Sequence, residues 1–226
     1  VETCEICVVD GGSRDDTVRR ARKAAHPAVR VEVIELEGPN GSAPGSGRRA
    51  RQLQVGLEAT RGDPVVFLHA DTRLPGDWLP AVERAMAAPG VSGGSFRFAF
   101  REAPARGATG RGAGRLQRMS LGLVERGARL RVRLFGMPYG DQALFARRAV
   151  LEELGGIPQV PLMEDLDLVR ALKQKGRLVH LSETATTSPR RHLEGGVWRI
   201  AIRHALAAAA WAAGADRVRL ARWLGR

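Results

Sequence analysis

The sequence predicts an α/β domain in which a mixed, mostly parallel sheet is flanked by helices, followed by a helical carboxy-terminal extension. Two observations carry this prediction. Over residues 5–68, short apolar runs and helix-forming segments alternate as strand–helix–strand–helix–strand, the order that builds parallel sheets. Right-handed crossovers would bring the three strand ends to one edge of the sheet, where open α/β sheets bind ligands. Asp10 and Asp71 both fall at such ends.

The first strand is the run Glu5–Val9, stopped by the turn Asp10-Gly11-Gly12-Ser13. Asp15, Asp16 and Thr17 open a helix to about Ala25, because short polar side chains cap helix starts. Val29–Leu36 alternates as the second strand, and the Gly, Pro and Ser of Gly38–Gly47 make a loop. A helix over Arg48–Ala59 is stopped by Gly62-Asp63-Pro64, and Val65–Leu68 is the third strand. A helix over Gly76–Ala88 precedes Ser95–Phe100, which alternates like a half-buried strand. Residues 103–118 are rich in Gly, Ala and Arg with little periodicity, and read as a loop or a frayed helix start. Met137–Gln142 turns into the short strand Ala143–Ala146, and Ala149–Leu154 is helical until Gly155-Gly156-Ile157-Pro158 breaks it. The helix Glu164–Lys175 carries Leu166, Leu168, Val169 and Leu172, and the strand Leu178–Leu181 follows. With no internal repeat and no dividing linker, residues 1–190 read as one domain and residues 191–226 as the extension.

A formal net charge of +12 favours phosphate-bearing partners: nucleotides, nucleic acid or anionic lipid. A nucleic-acid role is not read, because the arginines are dispersed and no recognition motif accompanies them. Aromatics, at 5%, do not interleave with the basic residues as base-stacking surfaces require. Cys4 and Cys7 form a C-x-x-C pair within a strand, where positions three apart point to opposite faces. No second pair completes four metal ligands, so they read as buried structural thiols in a reducing, cytoplasmic compartment. No signal peptide is seen, and the longest apolar run, Ala205–Ala213, is about half of the roughly 20 residues of a membrane span.

Three acidic groups carry the candidate chemistry. Asp10, before two glycines and Ser13, suits a carboxylate that meets a base or ribose, or equally a capped turn. Asp71 suits a hard cation bridging a diphosphate, because magnesium takes one or two carboxylates plus phosphate oxygens; His69 would share its face if the strand persists. Glu164, Asp165 and Asp167 either stabilise a helix start or supply a base whose pKa is raised by mutual repulsion. Arg48, Arg49 and Arg51 open a helix after a glycine-rich loop, as a phosphate site or a solvated face.

Together Val8–Thr17, Arg49-Ala50-Arg51-Gln52, Phe67–Thr72, Gly140-Asp141-Gln142, Met163–Asp167 and Thr187–Arg191 resemble glycosyltransferase family 2. These are inverting transferases of the GT-A fold, a Rossmann-like architecture, and the likeness is greatest to the arsenosugar-biosynthesis and exosortase-associated branch. The order and spacing match over nearly the whole chain. The resemblance implies a nucleoside-diphosphate sugar donor, UDP being the commonest carrier, an acceptor hydroxyl, and Mg²⁺ or Mn²⁺. It implies that Asp10, with Gly12, Ser13 and Asp16 beside it, contacts the nucleotide. Asp71 would hold the metal, with His69 at the first position of a D-x-D-like motif. Asp165 would be the general base and Glu164 its neighbour, while Gly140, Asp141 and Gln142 would line the acceptor or donor-sugar side. Arg49, Arg51, Arg190 and Arg191 would serve the diphosphate.

The resemblance also implies a strand with a Pro-x-x-Asn-Glu-like motif before Val1, so the chain is expected to be amino-terminally truncated, or to receive that strand from another chain. Gln54 stands where the branch has Asn. Two other readings compete: a nucleotidyltransferase, which lacks here its Gly-rich signature with Lys, and a non-catalytic nucleotide-sugar-binding protein. Val197–Arg226 mixes Trp198, Ile200, Leu206, Trp211 and Trp223 with arginines. It reads as helices packed on the core or as a peripheral contact on the inner face of the membrane. A homo-oligomer is compatible with either.

Overall fold

A computed structural model of the chain describes residues 4–24, 29–36, 47–102 and 114–224. β1 (Cys4–Asp10) and β2 (Val29–Glu35) pair in parallel along their whole lengths, with α1 (Thr17–Lys23) between them in sequence. α2 (Arg48–Ala59) has the expected bounds and leads to β3 (Val65–Val66). β4 (Thr72–Arg73), α3 (Trp78–Ala87) and β5 (Val91–Phe100) follow. After α4 (Arg115–Phe135) come a 3-10 turn at Gly140–Gln142, β6 (Phe145–Ala146) and α5 (Arg148–Glu153). α6 (Glu164–Lys175), β7 (Arg177–Thr187), α7 (Arg190–Gly195), α8 (Val197–Ala212) and α9 (Arg217–Trp223) complete the order.

By paired residues the sheets are mostly parallel. The two long ladders, β1 with β2 and β5 with β7, are parallel, and three two-residue ladders are antiparallel. The three early strands do not share one hydrogen-bonded sheet, however. β1 and β2 form their own ladder, whereas β3 is an edge of a five-stranded sheet ordered β3-β6-β5-β7-β4. Side chains join the two units instead. Gln52 Nε2 donates to the Val9 carbonyl (3.0 Å), and Glu5 Oε2 accepts from the backbone N–H groups of Arg61 (2.7 Å) and Gly62 (3.0 Å).

The core lies on both faces of the five-stranded sheet. On one, Leu57 of α2 and Leu168, Val169 and Leu172 of α6 cover Phe67, Leu144 and Ala146. On the other, Val82, Ala85 and Met86 of α3 cover Phe96, Phe145 and Ala185. Over Phe96–Phe100 β5 alternates as expected, with Arg97 exposed and Ala99 half-buried between buried phenylalanines, whereas its first half, Val91–Ser95, is wholly buried because helices pack on both its faces and strands on both its edges. Alternation within Ser95–Phe100 reflects the three phenylalanines, of which Phe98 and Phe100 pack with α4 and α8.

Three elements exceed the sequence expectation, the first being β5, which begins at Val91 rather than Ser95. β7 runs to Thr187, because a register shift against β5 near Ser95 and Arg97 restarts the pairing through the polar half of the strand. α4 is not expected from sequence; the segment read as a loop or frayed start lies, for residues 103–113, outside the described residues. Its periodicity is blurred because apolar residues occupy two faces, one buried (Leu121, Ala128) and one exposed (Leu116, Met119, Leu123, Leu130, Leu134).

The two cysteines are free thiols on β1, half-buried rather than buried as expected, and burial raises their pKa values, which disfavours the thiolate. Among the described residues no helix is long and apolar enough to cross a membrane.

α6 also anchors the last helices. Asp167 accepts from Trp211 Nε1 (2.9 Å) and from both terminal nitrogens of Arg217 (2.9 and 3.1 Å). Asp167→Ala should cost about 2 kcal/mol, since it strands a half-buried guanidinium and an indole N–H. Urea unfolding measures this, and a loss under about 0.5 kcal/mol would mean the network contributes little.

Candidate active site

Four separated segments converge on one small pocket lined by Arg49, Leu53, Phe67, His69, Gly140, Leu144, Glu164, Asp165 and Leu168. Arg49 reaches it from the first turn of α2, His69 from the segment after β3, Gly140 from the 3-10 turn, and Glu164 and Asp165 from the first turn of α6.

The buried Glu164 carboxylate forms an ion pair with Arg49, its Oε1 lying 3.0 Å from Nε. The other end of the same guanidinium, Nη2, donates to His69 Nε2. Asp165 turns the other way: its Oδ2 accepts from the Gly140 N–H (2.7 Å) and its Oδ1 from the Leu166 N–H (2.9 Å). Any side chain at position 140 would run into Arg49, with His69 Nε2 and Asp165 Oδ2 at 3.0 and 3.2 Å. Only glycine lets the turn approach all three groups. The three acidic residues expected to repel one another are thus parted: Glu164 to Arg49, Asp165 to Gly140, Asp167 to Arg217 and Trp211.

Electrostatics sets the state of two further groups. Burial, then the Arg49 charge, pushes the His69 pKa down to about 4 against the opposing pull of Asp165 and Asp71. The imidazole is therefore neutral near pH 7 and accepts from Arg49 through Nε2. Burial raises the Asp141 pKa to about 6 even though Arg131 opposes it, and its Oδ1 is buried with no hydrogen-bond partner among the described residues.

Asp71 is exposed at the start of β4. Its backbone carbonyl accepts from the Ser188 N–H (3.2 Å), and Thr187 Oγ1 lies 3.4 Å from its Oδ1. Pairing of β4 with the end of β7 brings the segment 187–191 to this side. Arg191 acts electrostatically on His69. Arg190 is exposed, and its backbone N–H bonds to Ser188 Oγ (3.3 Å).

Asp10 closes a tight turn on itself. Its Oδ2 accepts from the Gly12 and Ser13 N–H groups (2.8 Å each), and its Oδ1 accepts from the Ser13 hydroxyl (2.5 Å). Burial alone would raise its pKa, but these hydrogen bonds prevail and hold it below the usual carboxylate value. Gly12 has φ +96°, which side chains rarely adopt. The turn stands about one helical turn from the pocket along α2, because Gln52 meets Val9 and Gly11 while Arg49, three residues earlier, meets His69. Asp16 and Arg51 are exposed, and Asp16 pairs with Arg19.

Gln142 faces inward: Nε2 donates to the Phe96 carbonyl (3.2 Å), and Oε1 accepts from the Tyr139 N–H (3.1 Å) and Arg131 Nη2 (3.2 Å). It shapes the turn that carries Gly140 and Asp141. Arg131, which sequence reasoning passes over, lies 3.4 Å above the Tyr139 ring and donates to the Met137 carbonyl (2.9 Å). No motif marks it, because its helix is itself hidden. Gln52 stood inside a quoted motif but without a role.

The family described as Glycosyl transferase family 2 matches residues 1–155. No curated protein sequence matches. Among solved structures, S. aureus TarS 1-349 is similar at 18% identity and TM-score 0.49, over 84% of this chain and 53% of that one. Glucosyl-3-phosphoglycerate synthase from Mycobacterium tuberculosis, in complex with phosphoglyceric acid, is similar at 18% identity and TM-score 0.53, over 93% of this chain and 69% of that one. The chain therefore spans about half the length of the first and shares the fold of the second.

Two measurements test the electrostatics. An NMR titration should place the His69 midpoint near 4, and a midpoint near 6.5 would show that the ring does not meet Arg49. For Asp141 the folded pKa, about 6, exceeds the unfolded value of 3.8, so the fold loses stability as pH rises through that window. Asp141→Asn should raise unfolding free energy by about 2–3 kcal/mol at roughly pH 8 and change it little near pH 4. An equal change at both pH values contradicts the buried charge.

Proposed function

The chain belongs to glycosyl transferase family 2, and on that premise we propose that it is an inverting, metal-dependent glycosyltransferase that moves a sugar from a nucleoside-diphosphate sugar to an acceptor hydroxyl. The observation that carries the reading is the convergence of Arg49, His69, Gly140, Glu164 and Asp165 on one pocket, with exposed Asp71 two residues beyond His69.

Asp165 is the base. Its carboxylate, held by the Gly140 and Leu166 N–H groups, takes the proton of the acceptor hydroxyl. The acceptor oxygen then bonds to the anomeric carbon from the face opposite the diphosphate. The bond from that carbon to the phosphate oxygen breaks, and its electron pair leaves with the nucleoside diphosphate. Arg49 and Arg191 present positive charge to the leaving group. Glu164 keeps Arg49 at the pocket, and neutral His69 adds no competing charge of its own. The Asp10–Ser13 turn offers the nucleotide a carboxylate and a hydroxyl.

The exposed carboxylate of Asp71 would hold Mg²⁺ or Mn²⁺, since such hard cations take as few as one protein carboxylate. The residues do not fit a closed protein cage, since no group of three potential ligands exists among the described residues. His69 is the weaker half of the expected pair, because Arg49 occupies its Nε2. When bound, the ion supplies charge that neutralises the departing diphosphate.

Thermal unfolding with a panel of nucleoside diphosphates, with and without Mn²⁺, tests the donor and metal. A nucleotide at about 100 times its Kd should add roughly 2.7 kcal/mol, and Asp71→Ala should remove the metal-dependent part. Asp165→Asn should leave nucleotide binding intact and lower kcat about 10²–10⁴-fold in a sugar-transfer assay. Undiminished transfer by Asp165→Asn would sink the base assignment, and metal-independent stabilisation would sink the role of Asp71.

A further inference from the structure

α4 has two apolar faces, and only one is used by the fold. Leu121 and Ala128 are buried against Phe98 and Phe100. Leu116, Met119, Leu123, Leu130 and Leu134 are 75, 60, 48, 55 and 62% exposed. At 3.6 residues per turn these five fall within an arc of about 60°. α8 lies alongside, with Val197 in the same cluster as Leu121 and Ala128. It presents a second stripe of Trp198, Ile202 and Leu206, exposed by 50, 56 and 54%.

The charges around these stripes identify what covers them. Glu125 is the one acidic residue in the sequences of α4, α8 and α9, and it faces inward to accept the Phe100 N–H (2.7 Å). The same three helices carry eleven arginines. Arg115, Arg126 and Arg133 follow one edge of the α4 stripe, exposed and without a carboxylate partner among the described residues. A protein partner of ordinary composition would leave such a row unmatched, whereas a sheet of anionic headgroups over acyl chains matches both the row and the stripe. Trp198 suits the headgroup boundary, where an indole has an apolar body and a polar N–H.

We propose that the outer faces of α4 and α8 form a docking surface for an anionic lipid bilayer, the stripes lying in the headgroup–acyl boundary and the arginines on the phosphates. This goes beyond the transferase reading and stands without it. α4 also touches the pocket-bearing turn, because Arg131 stacks on Tyr139 and bonds to Gln142. Lipid contact would therefore be made by the helix that braces the Gly140–Gln142 turn.

Flotation of the full chain with phosphatidylcholine vesicles, with or without phosphatidylglycerol, tests the proposal. Wild type should float with the anionic vesicles alone, and less so as salt screens the surface. The double change Leu123→Glu and Leu130→Glu should abolish flotation with the melting temperature unchanged, since both side chains are exposed. If that variant does not fold, the triple change of Arg115, Arg126 and Arg133 to Gln decides. It should weaken binding about five-fold per arginine, on the order of 100-fold in all. Equal flotation with neutral vesicles, or none with anionic ones, overturns the proposal. So does a dimer in sedimentation velocity that Leu123→Glu with Leu130→Glu dissolves while no vesicle retains the chain, which would give the face to a second copy.

Discussion

The Arg49 guanidinium is the interaction on which the site rests. It is shared between a buried carboxylate on α6 and a neutral imidazole after β3, and it does so from the first turn of α2. A buried carboxylate without a cation is costly, so Glu164 ties the start of α6 to the first turn of α2, and losing Arg49 would leave its charge uncompensated. A charged His69 could not serve as the second partner. Burial and Arg49 itself keep that ring neutral, so the cluster reinforces its own protonation state. Lysine would not replace this arginine, because a point charge cannot donate in two directions with one planar fork.

Much of this was legible beforehand, and the parts that were not have physical reasons. α2 and α6 fall where their periodicity and flanking glycines place them, because their apolar residues lie on one face. The end of β1 at Asp10 and the helix start at Glu164 were readable for the same reason, since a buried strand or helix start beside acid is a local pattern, whereas the third strand stops at Val66 and not at the expected Leu68. What local pattern cannot show is which partner a charge finds. The acidic group at 164–167 reads as mutual repulsion, yet each carboxylate is claimed by a residue far away in sequence. α4 was hidden by its two apolar faces. The split between the two sheets was hidden because side chains, not strand ladders, join them. Inward-facing Gln142 shows a further limit, since a quoted motif residue can shape the turn from within.

Backbone strain falls where the site is assembled. Among the described residues, the non-glycine residues with positive φ are Ala143, at +47°, and Met163, at +64°. One follows the turn bearing Gly140 and Asp141, and the other precedes Glu164 and Asp165. Such conformations cost of order 1–3 kcal/mol each and persist only where the surroundings impose them. Here the surroundings are tight: Ala143 is fully buried, and Asp165 is tied to the Gly140 N–H. The same packing that stabilises the chain thus holds two segments in shapes they would not take alone.

Asp165, the base in the proposed reaction, and the carboxy-terminal helices are fastened to the same turn of α6. Asp165 points into the pocket, and two residues on Asp167 grips Arg217 and Trp211. Their separation is that of adjacent rungs on a rigid rod, with no loop between to absorb a rotation. The tail helices and the Asp165 carboxylate therefore share one coordinate frame. Whatever fixes the heading of the tail also fixes the orientation of the Asp165 carboxylate, and with it, in the proposed reaction, the direction from which an acceptor would arrive.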